Sequence, residues 1–136
     1  MDPIVKRLMD NRIEESNLYE MANIKKSRTG LPYDIWVDSA GSSRNVQHNS
    51  PRLKIDVDGE LIPFSISEHP EMLADKKIPH QTDLIKFIQD NNEIFMKHWN
   101  GEIDDGQIIN YLTLVYKKGI SREEAYNQLE DLKYIN

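Results

Sequence analysis

The chain has 136 residues, of which 38% are hydrophobic and 29% are charged, with a formal net charge of -6 and no cysteine. A chain of this length folds as a single domain that buries roughly two-thirds of its unfolded surface. The absence of cysteine excludes disulfides, thiolate metal sites and cysteine nucleophiles, and no apolar run approaches the ~18 residues of a membrane span. Because the first residues also lack the order of a signal peptide, we expect a cytoplasmic protein that does not contact a membrane.

Charge is unevenly distributed along the chain. Residues 25–54 carry six basic and two acidic side chains, whereas residues 55–136 carry eight basic and sixteen acidic ones. Such asymmetry can mark the place where an oppositely charged partner docks. A solvated loop and an ordinary acidic surface explain the same pattern, so both interpretations stay open.

The N-terminal residues predict a helix. Asp2 can cap free amide groups, and Pro3 is tolerated at the first helical position. We therefore expect a helix over residues 3–14, within a helical N-terminal arm formed by residues 1–24.

A strand and a long loop follow. Residues 33–38, YDIWVD, are aromatic and β-branched, as is typical of a strand. Residues 39–50 are polar and predict a loop, and a loop of that length in a compact domain is usually functional or disordered.

Two alternating runs, residues 52–58 and 60–66, predict a β-hairpin. Asp58-Gly59 between them is a strong signal for a two-residue turn. Counting outward from this turn pairs apolar residues on one face of the sheet: Ile55 with Ile62, and Leu53 with Phe64. Pro63 lacks an amide hydrogen, so we expect the second run to be an edge strand and residues 33–38 to flank the first.

Helical patterns dominate the rest of the chain. Thr82 can cap a helix over residues 82–98, with apolar side chains at helical spacing and Trp99 as a lid on the core. Asp104 with Gln107, and Ser121 with Glu124, have the spacing of capping boxes. They predict two further helices that form a C-terminal helical hairpin over residues 101–136.

These elements predict an α+β fold. A small antiparallel sheet of three or more strands packs on the helix of residues 82–98, with an N-terminal helix and a C-terminal helical hairpin around them. We divide the single domain of residues 1–136 into the arm, a sheet-plus-helix core over residues 25–100, and the hairpin.

The search for catalytic chemistry yields one candidate set. The sequence has no nucleophile elbow, no phosphate-binding glycine loop and no pair of histidines at helical metal-ligand spacing, so we expect no metal and no cofactor. Arg44, His48 and Arg52 are the only basic set that includes a potential proton carrier, and such a set could hold a phosphate and move a proton. A small nuclease or phosphate-transfer enzyme is therefore the alternative function, although a flexible solvated loop explains the same residues.

Aromatic and apolar residues indicate surfaces for a partner. Trp36 alternates with two aliphatic residues in its strand, so it faces away from them, either into a second covered face or toward a partner. In the C-terminal hairpin, Leu112, Tyr116 and Tyr126 are candidates for a homodimer surface wherever the core does not use them. Nucleic acid is a less favoured partner.

Three segments carry a resemblance: residues 27–38, SRTGLPYDIWVD; residues 51–67, PRLKIDVDGELIPFSIS; and residues 98–104, HWNGEID. In this order, over residues 27–105, the chain resembles small uncharacterised proteins of bacteria and their mobile elements. The resemblance implies a prokaryotic or phage origin and implies no activity.

The leading functional hypothesis is a non-enzymatic interaction module. It would act as a regulator or inhibitor that binds another protein through an acidic or apolar surface, because the acidic C-terminal two-thirds suits a basic partner.

Overall fold

The computed structural model describes residues 22–37 and 50–132. The predicted helix over residues 3–14 and nearly all of the predicted loop over residues 39–50 lie outside the described residues. The elements, in chain order, are β1 (Ala22–Ile24), α1 (Lys26–Thr29), β2 (Ile35–Val37), β3 (Arg52–Val57), β4 (Glu60–Ser65), α2 (Gln81–Asp90), α3 (Asn92–Trp99), α4 (Asp105–Tyr116), α5 (Arg122–Asn127) and α6 (Leu129–Leu132). This architecture confirms the predicted α+β class.

The four strands form one antiparallel sheet in the order β1-β2-β3-β4. The predicted hairpin register is confirmed, since Ile55 pairs with Ile62 and Leu53 pairs with Phe64. Both turn residues have positive φ, 52° at Asp58 and 87° at Gly59, as a type I′ turn requires. The predicted flanking strand is also confirmed, because β2 pairs with β3.

The outer side of β4 is partly covered by the segment of residues 71–73. Ser65 N donates to Glu71 O at 2.9 Å, and Leu73 N donates to Pro63 O at 2.8 Å. Pro63 contributes only its carbonyl acceptor here, because it has no amide hydrogen with which to return a second bond to Leu73. The covering segment shields part of an edge that could otherwise pair with another chain.

Strand β1 corrects the prediction of a helical arm up to residue 24. Ala22 and Ile24 are buried, at 2% and 0% exposed, and Asn23 between them faces the other side of the sheet. Three residues are too short a run for alternation to be recognised in a sequence. Pairing with β2 therefore decides the conformation of this segment.

The two faces of the sheet differ in burial. The inner face is apolar and packs with the helices in one core cluster, whose largest fully buried side chains include Ile35, Leu53, Ile55, Phe64, Leu84, Ile88, Phe95, Ile108 and Leu112. On the other face, half-buried Trp36 lies between Asn23 and Lys54 on the neighbouring strands.

The predicted helix of residues 82–98 is in fact two helices, α2 and α3, separated at Asn91. Thr82 does not cap the first of them, which begins at Gln81 after His80 in the left-handed conformation, with φ of 58°. Asn91 has φ of -116° and ψ of 19°, and its side chain Nδ2 donates to Phe87 O at 2.8 Å. An asparagine that bonds the preceding turn in this way competes with the regular helical ladder, which gives the break its local cause.

The C-terminal helices pack around α4. The capping box at its start is confirmed, with Asp104 and Gln107 bonding reciprocally at 2.8 Å. Ser121 Oγ accepts from Glu124 N at the start of α5, which is one of the two bonds of the predicted capping box; the return bond from the Glu124 side chain is not made among the described residues. The return segment is interrupted, so the hairpin consists of α4 against two short helices, α5 and α6. Across residues 22–37 and 50–132, no helix is long and apolar enough to cross a membrane.

Tyr33 makes the stability of this fold sensitive to alkaline pH. Its hydroxyl donates to His80 O at 3.3 Å, and burial, with a smaller contribution from the Asp83 carboxylate, raises the pKa of Tyr33 from 10.0 to about 12. Between these two values the unfolded chain has released the phenolic proton while the folded chain keeps it, so stability falls as pH rises through this window.

We therefore expect the free energy of unfolding to fall more steeply between pH 10 and about 12 in the native protein than in the Tyr33→Phe variant. Urea unfolding at a series of alkaline pH values measures both slopes. Equal slopes in the two proteins would show that Tyr33 does not cause the effect.

Candidate functional site

The structure describes one member of the predicted basic set. Arg52 begins β3, and its Nη2 donates to Ser50 Oγ at 3.2 Å, while its buried Nε has no hydrogen-bond partner among the described residues. Arg44 and His48 lie outside the described residues. The phosphate-transfer alternative therefore stays a prediction.

The three described histidines lie apart and take different structural roles. His69 is exposed, and His80 precedes α2 with its Nδ1 at 3.4 Å from Asp83 Oδ2. His98 is 1% exposed and its Nε2 lies 2.7 Å from Asp105 Oδ1, which joins the end of α3 to the start of α4. No group of three histidine, aspartate or glutamate side chains that could hold a metal ion occurs within residues 22–37 and 50–132.

The four residues predicted to bind a partner are divided among three environments. Trp36 is half-buried on β2, away from the core face. Leu112 is fully buried in the core, so it offers no surface to a partner. Tyr116 is half-buried, and Tyr126 is 37% exposed. Both tyrosines belong to the surroundings of one cleft.

This cleft lies where the junction of α2 and α3 meets α4 and α5. It has a volume of about 200 Å³. Its lining combines carboxylates, two tyrosines, one arginine and a buried asparagine: Asp90, Asn91, Glu93, Ile94, Tyr111, Arg122, Glu123 and Tyr126.

A buried polar network forms one wall of the cleft. Asn91, 2% exposed, donates from Nδ2 to Tyr116 Oη at 2.6 Å and accepts from Arg122 Nε at 3.4 Å. Arg122 Nη2 donates to the same tyrosine oxygen at 2.7 Å, and its guanidinium lies 5.5 Å from the ring centre. The helix break at Asn91 therefore supplies the amide that orders this wall.

Tyr111 also lines the cleft, but its hydroxyl does not belong to the network of Asn91, Tyr116 and Arg122. It is 5% exposed, and its hydroxyl makes no hydrogen bond within the described part of the chain. Burial is the main cause that raises the pKa of Tyr111, so the hydroxyl stays protonated at neutral pH and can donate as well as accept.

The charge of the cleft is negative and only partly compensated. Asp90 Oδ2 lies 3.0 Å from Lys86 Nζ and 4.0 Å from Arg122 Nη2. Glu93 and Glu123 have no ion-pair partner among the residues that the structure describes. Two exposed carboxylates are thus available on the rim.

Sequence patterns predicted Tyr116 and Tyr126 as candidates for a homodimer surface, and they did not predict the cleft itself. Asn91 lies inside a segment whose apolar spacing predicts an unbroken helix, and Tyr111 is one more apolar position on the stripe of α4. The pair Asn91-Asn92 in mid-helix is the one local signal of a break, since asparagine is unfavourable in helix interiors.

Tyr111 and Tyr116, both on α4, provide a matched comparison. We expect Tyr116→Phe to lower the free energy of unfolding by about 1 kcal/mol, because it leaves a buried Asn91 amide hydrogen without its acceptor. We expect Tyr111→Phe to change it by less than about 0.5 kcal/mol, because no described group loses a hydrogen bond. Urea unfolding measures both differences, and equal losses would contradict the assignment of the network.

No protein-family model matches this sequence, and no curated protein or solved structure matches it either. The resemblance to small bacterial and mobile-element proteins therefore stays a prediction, together with the origin that it implies. The chemistry of the cleft is the basis for inferring function.

Proposed function

We propose that this protein is an interaction module that binds a basic partner protein through its acidic helical part. The observation that carries the proposal is the cleft between α3, α4 and α5. It combines the hydroxyl of Tyr111, which has no partner in the described chain, with rim carboxylates that no described cation neutralises. Such groups are completed by a partner that brings hydrogen-bond donors and positive charge.

The charge of the whole helical part supports the same kind of partner. Residues 81–132 contain ten acidic and five basic side chains. A surface with this excess attracts basic proteins over distances of about a Debye length and repels acidic ones. The choice of a basic partner thus follows from the surface as well as from the cleft.

The size of the cleft favours a protein partner over a metabolite. Pockets for drug-sized ligands and cofactors usually have volumes of about 300–1,000 Å³, and they are mostly apolar. At about 200 Å³, with carboxylates on its rim, this cleft matches a single side chain presented by a protein surface. A role as a regulator or inhibitor, and a homodimer through residues 101–136, stay predictions.

Selection from a displayed library of random peptides on the immobilised full-length protein tests the proposal. We expect the enriched peptides to carry a net positive charge and to lose affinity as salt rises, because exposed charges are screened. Replacing the basic residues of a selected peptide by glutamine is the matched control, and it should abolish binding.

Enrichment of acidic or neutral peptides, or of no peptides at all, would refute the proposed function. Binding that is unchanged by salt and by the glutamine replacements would refute it as well. These outcomes concern the basic character of the partner and do not depend on where on the surface it binds.

A further inference from the structure

The cleft already contains an example of how this protein holds a guanidinium group. Arg122 lies over the face of Tyr116, donates to its hydroxyl at 2.7 Å and lies 4.0 Å from Asp90. A tyrosine, a hydroxyl acceptor and a carboxylate thus surround one guanidinium. Arginine prefers such sites because its planar group stacks on aromatic rings and donates in several directions.

The other groups of the cleft repeat this set. Tyr111 supplies a hydroxyl without a partner in the described chain, and Tyr126 supplies a ring that is 37% exposed. Glu93 and Glu123 supply carboxylates. Arg122 and Glu93, which line the same cleft, are among the charged groups that interact electrostatically with the Tyr111 hydroxyl.

The neighbouring cations do not compensate these carboxylates. Arg122 is held by the Asn91 network and lies near Asp90. Lys97 lies 5.5 Å from the ring centre of Tyr126 and pairs with Glu102 at 3.6 Å. Two negative charges therefore remain on the rim for a cation from outside.

We propose that the cleft receives an arginine side chain of the partner protein, whose guanidinium bonds to Glu93, Glu123 and the Tyr111 hydroxyl. This inference rests on the proposed protein-binding function and names the group that is recognised. The cleft volume of about 200 Å³ accommodates one such side chain. Bidentate pairing with carboxylates distinguishes arginine from lysine at a site of this kind.

Titration of the isotope-labelled full-length protein with three blocked tripeptides tests the proposal. The peptides are Gly-Arg-Gly, Gly-Lys-Gly and the citrulline analogue, which keeps the shape of arginine without its charge. We expect saturable shifts of the backbone amide signals around Ile94 and Tyr111 with the arginine peptide. The citrulline peptide should bind at least about tenfold more weakly, because it cannot form charge-assisted hydrogen bonds.

Matched variants locate the site. Glu93→Gln with Glu123→Gln should lower the affinity for the arginine peptide by at least about tenfold. Tyr111→Phe should lower it severalfold. Glu68→Gln with Glu71→Gln removes two exposed carboxylates from the segment after β4, outside the cleft, and should leave its affinity within about twofold.

The outcomes separate this inference from the proposed function. The cleft assignment is overturned, while the function stands, if basic peptides bind but the shifted amide signals of the protein lie outside the cleft. It is also overturned if the Glu93 and Glu123 variant binds the arginine peptide as well as the native protein does. Equal binding of the arginine and citrulline peptides, or of the arginine and lysine peptides, overturns the recognition of a guanidinium. Failure of the peptide selection described above overturns the function itself.

Discussion

Replacing Leu112 by alanine is expected to lower the free energy of unfolding by about 2–5 kcal/mol. Leu112 is 0% exposed and lies on α4 within the core cluster that joins the helices to the sheet. Removal of its isobutyl group loses the transfer free energy of the buried atoms and leaves a cavity that a close-packed core fills only in part. Urea unfolding, analysed with a common slope, measures the loss.

Leu73 provides the matched control for this substitution. It is 41% exposed in the segment that covers β4, so Leu73→Ala removes the same atoms from a surface position. We expect a change of less than about 0.5 kcal/mol. Similar losses at the two positions would contradict the placement of Leu112 in the core.

The same experiment bears on the predicted homodimer. A homodimer would make the unfolding midpoint of the native chain rise with protein concentration, and because Leu112 is buried within one copy, Leu112→Ala would not remove that dependence. A core role predicts a large loss that is the same at every concentration. Measurement over a hundredfold range of concentration distinguishes a dimer from a monomer.

Asn91→Leu is expected to produce the second large effect, a loss of about 1–3 kcal/mol. Leucine keeps the branched arrangement of four side-chain heavy atoms but is larger than asparagine and has no amide. Tyr116 and Arg122 therefore each lose the hydrogen bond that they make with Asn91. The side-chain bond to Phe87 O across the helix break is lost as well. Urea unfolding measures the change.

Asn92 is the control for Asn91, because it is the next residue along the chain and its side-chain oxygen is bonded differently. Its buried Oδ1 has no hydrogen-bond partner in the described part of the chain, so Asn92→Leu removes an unsatisfied acceptor and should be neutral or stabilising. A greater loss at Asn92 than at Asn91 would show that the amide of Asn91 does not hold the junction.

Features that depend on neighbours in the chain could be predicted from the sequence. The hairpin register follows from Asp58-Gly59, because two positive φ angles permit a tight turn and the alternation of apolar residues then decides which side chains face the core. The capping box of Asp104 and Gln107 lies within one turn of helix, so it was equally predictable. Tyr126 in the cleft lining and Tyr116 beside it were predicted only as candidates for a homodimer surface.

Features that depend on distant neighbours were decided by the tertiary structure. The spacing of apolar residues predicted one helix through Asn91, but the side chain of that residue is satisfied by Tyr116 and Arg122, 25 and 31 positions along the chain. Strand β1 exists because β2 pairs with it, since three residues carry too little pattern of their own.

The sequence by itself therefore determined the α+β class, the hairpin and the helix starts at Asp104 and Ser121. The tertiary structure decided the break at Asn91 and the composition of the cleft. The physical reason is the range of the interactions involved. Turn and cap preferences act over a few residues, whereas burial and hydrogen-bond satisfaction depend on which segments meet in space. Tyr111 and Tyr116 lie on the same helix, but their hydroxyls have different neighbours. Asn91 and Arg122 bind the Tyr116 hydroxyl, whereas no described residue binds the Tyr111 hydroxyl.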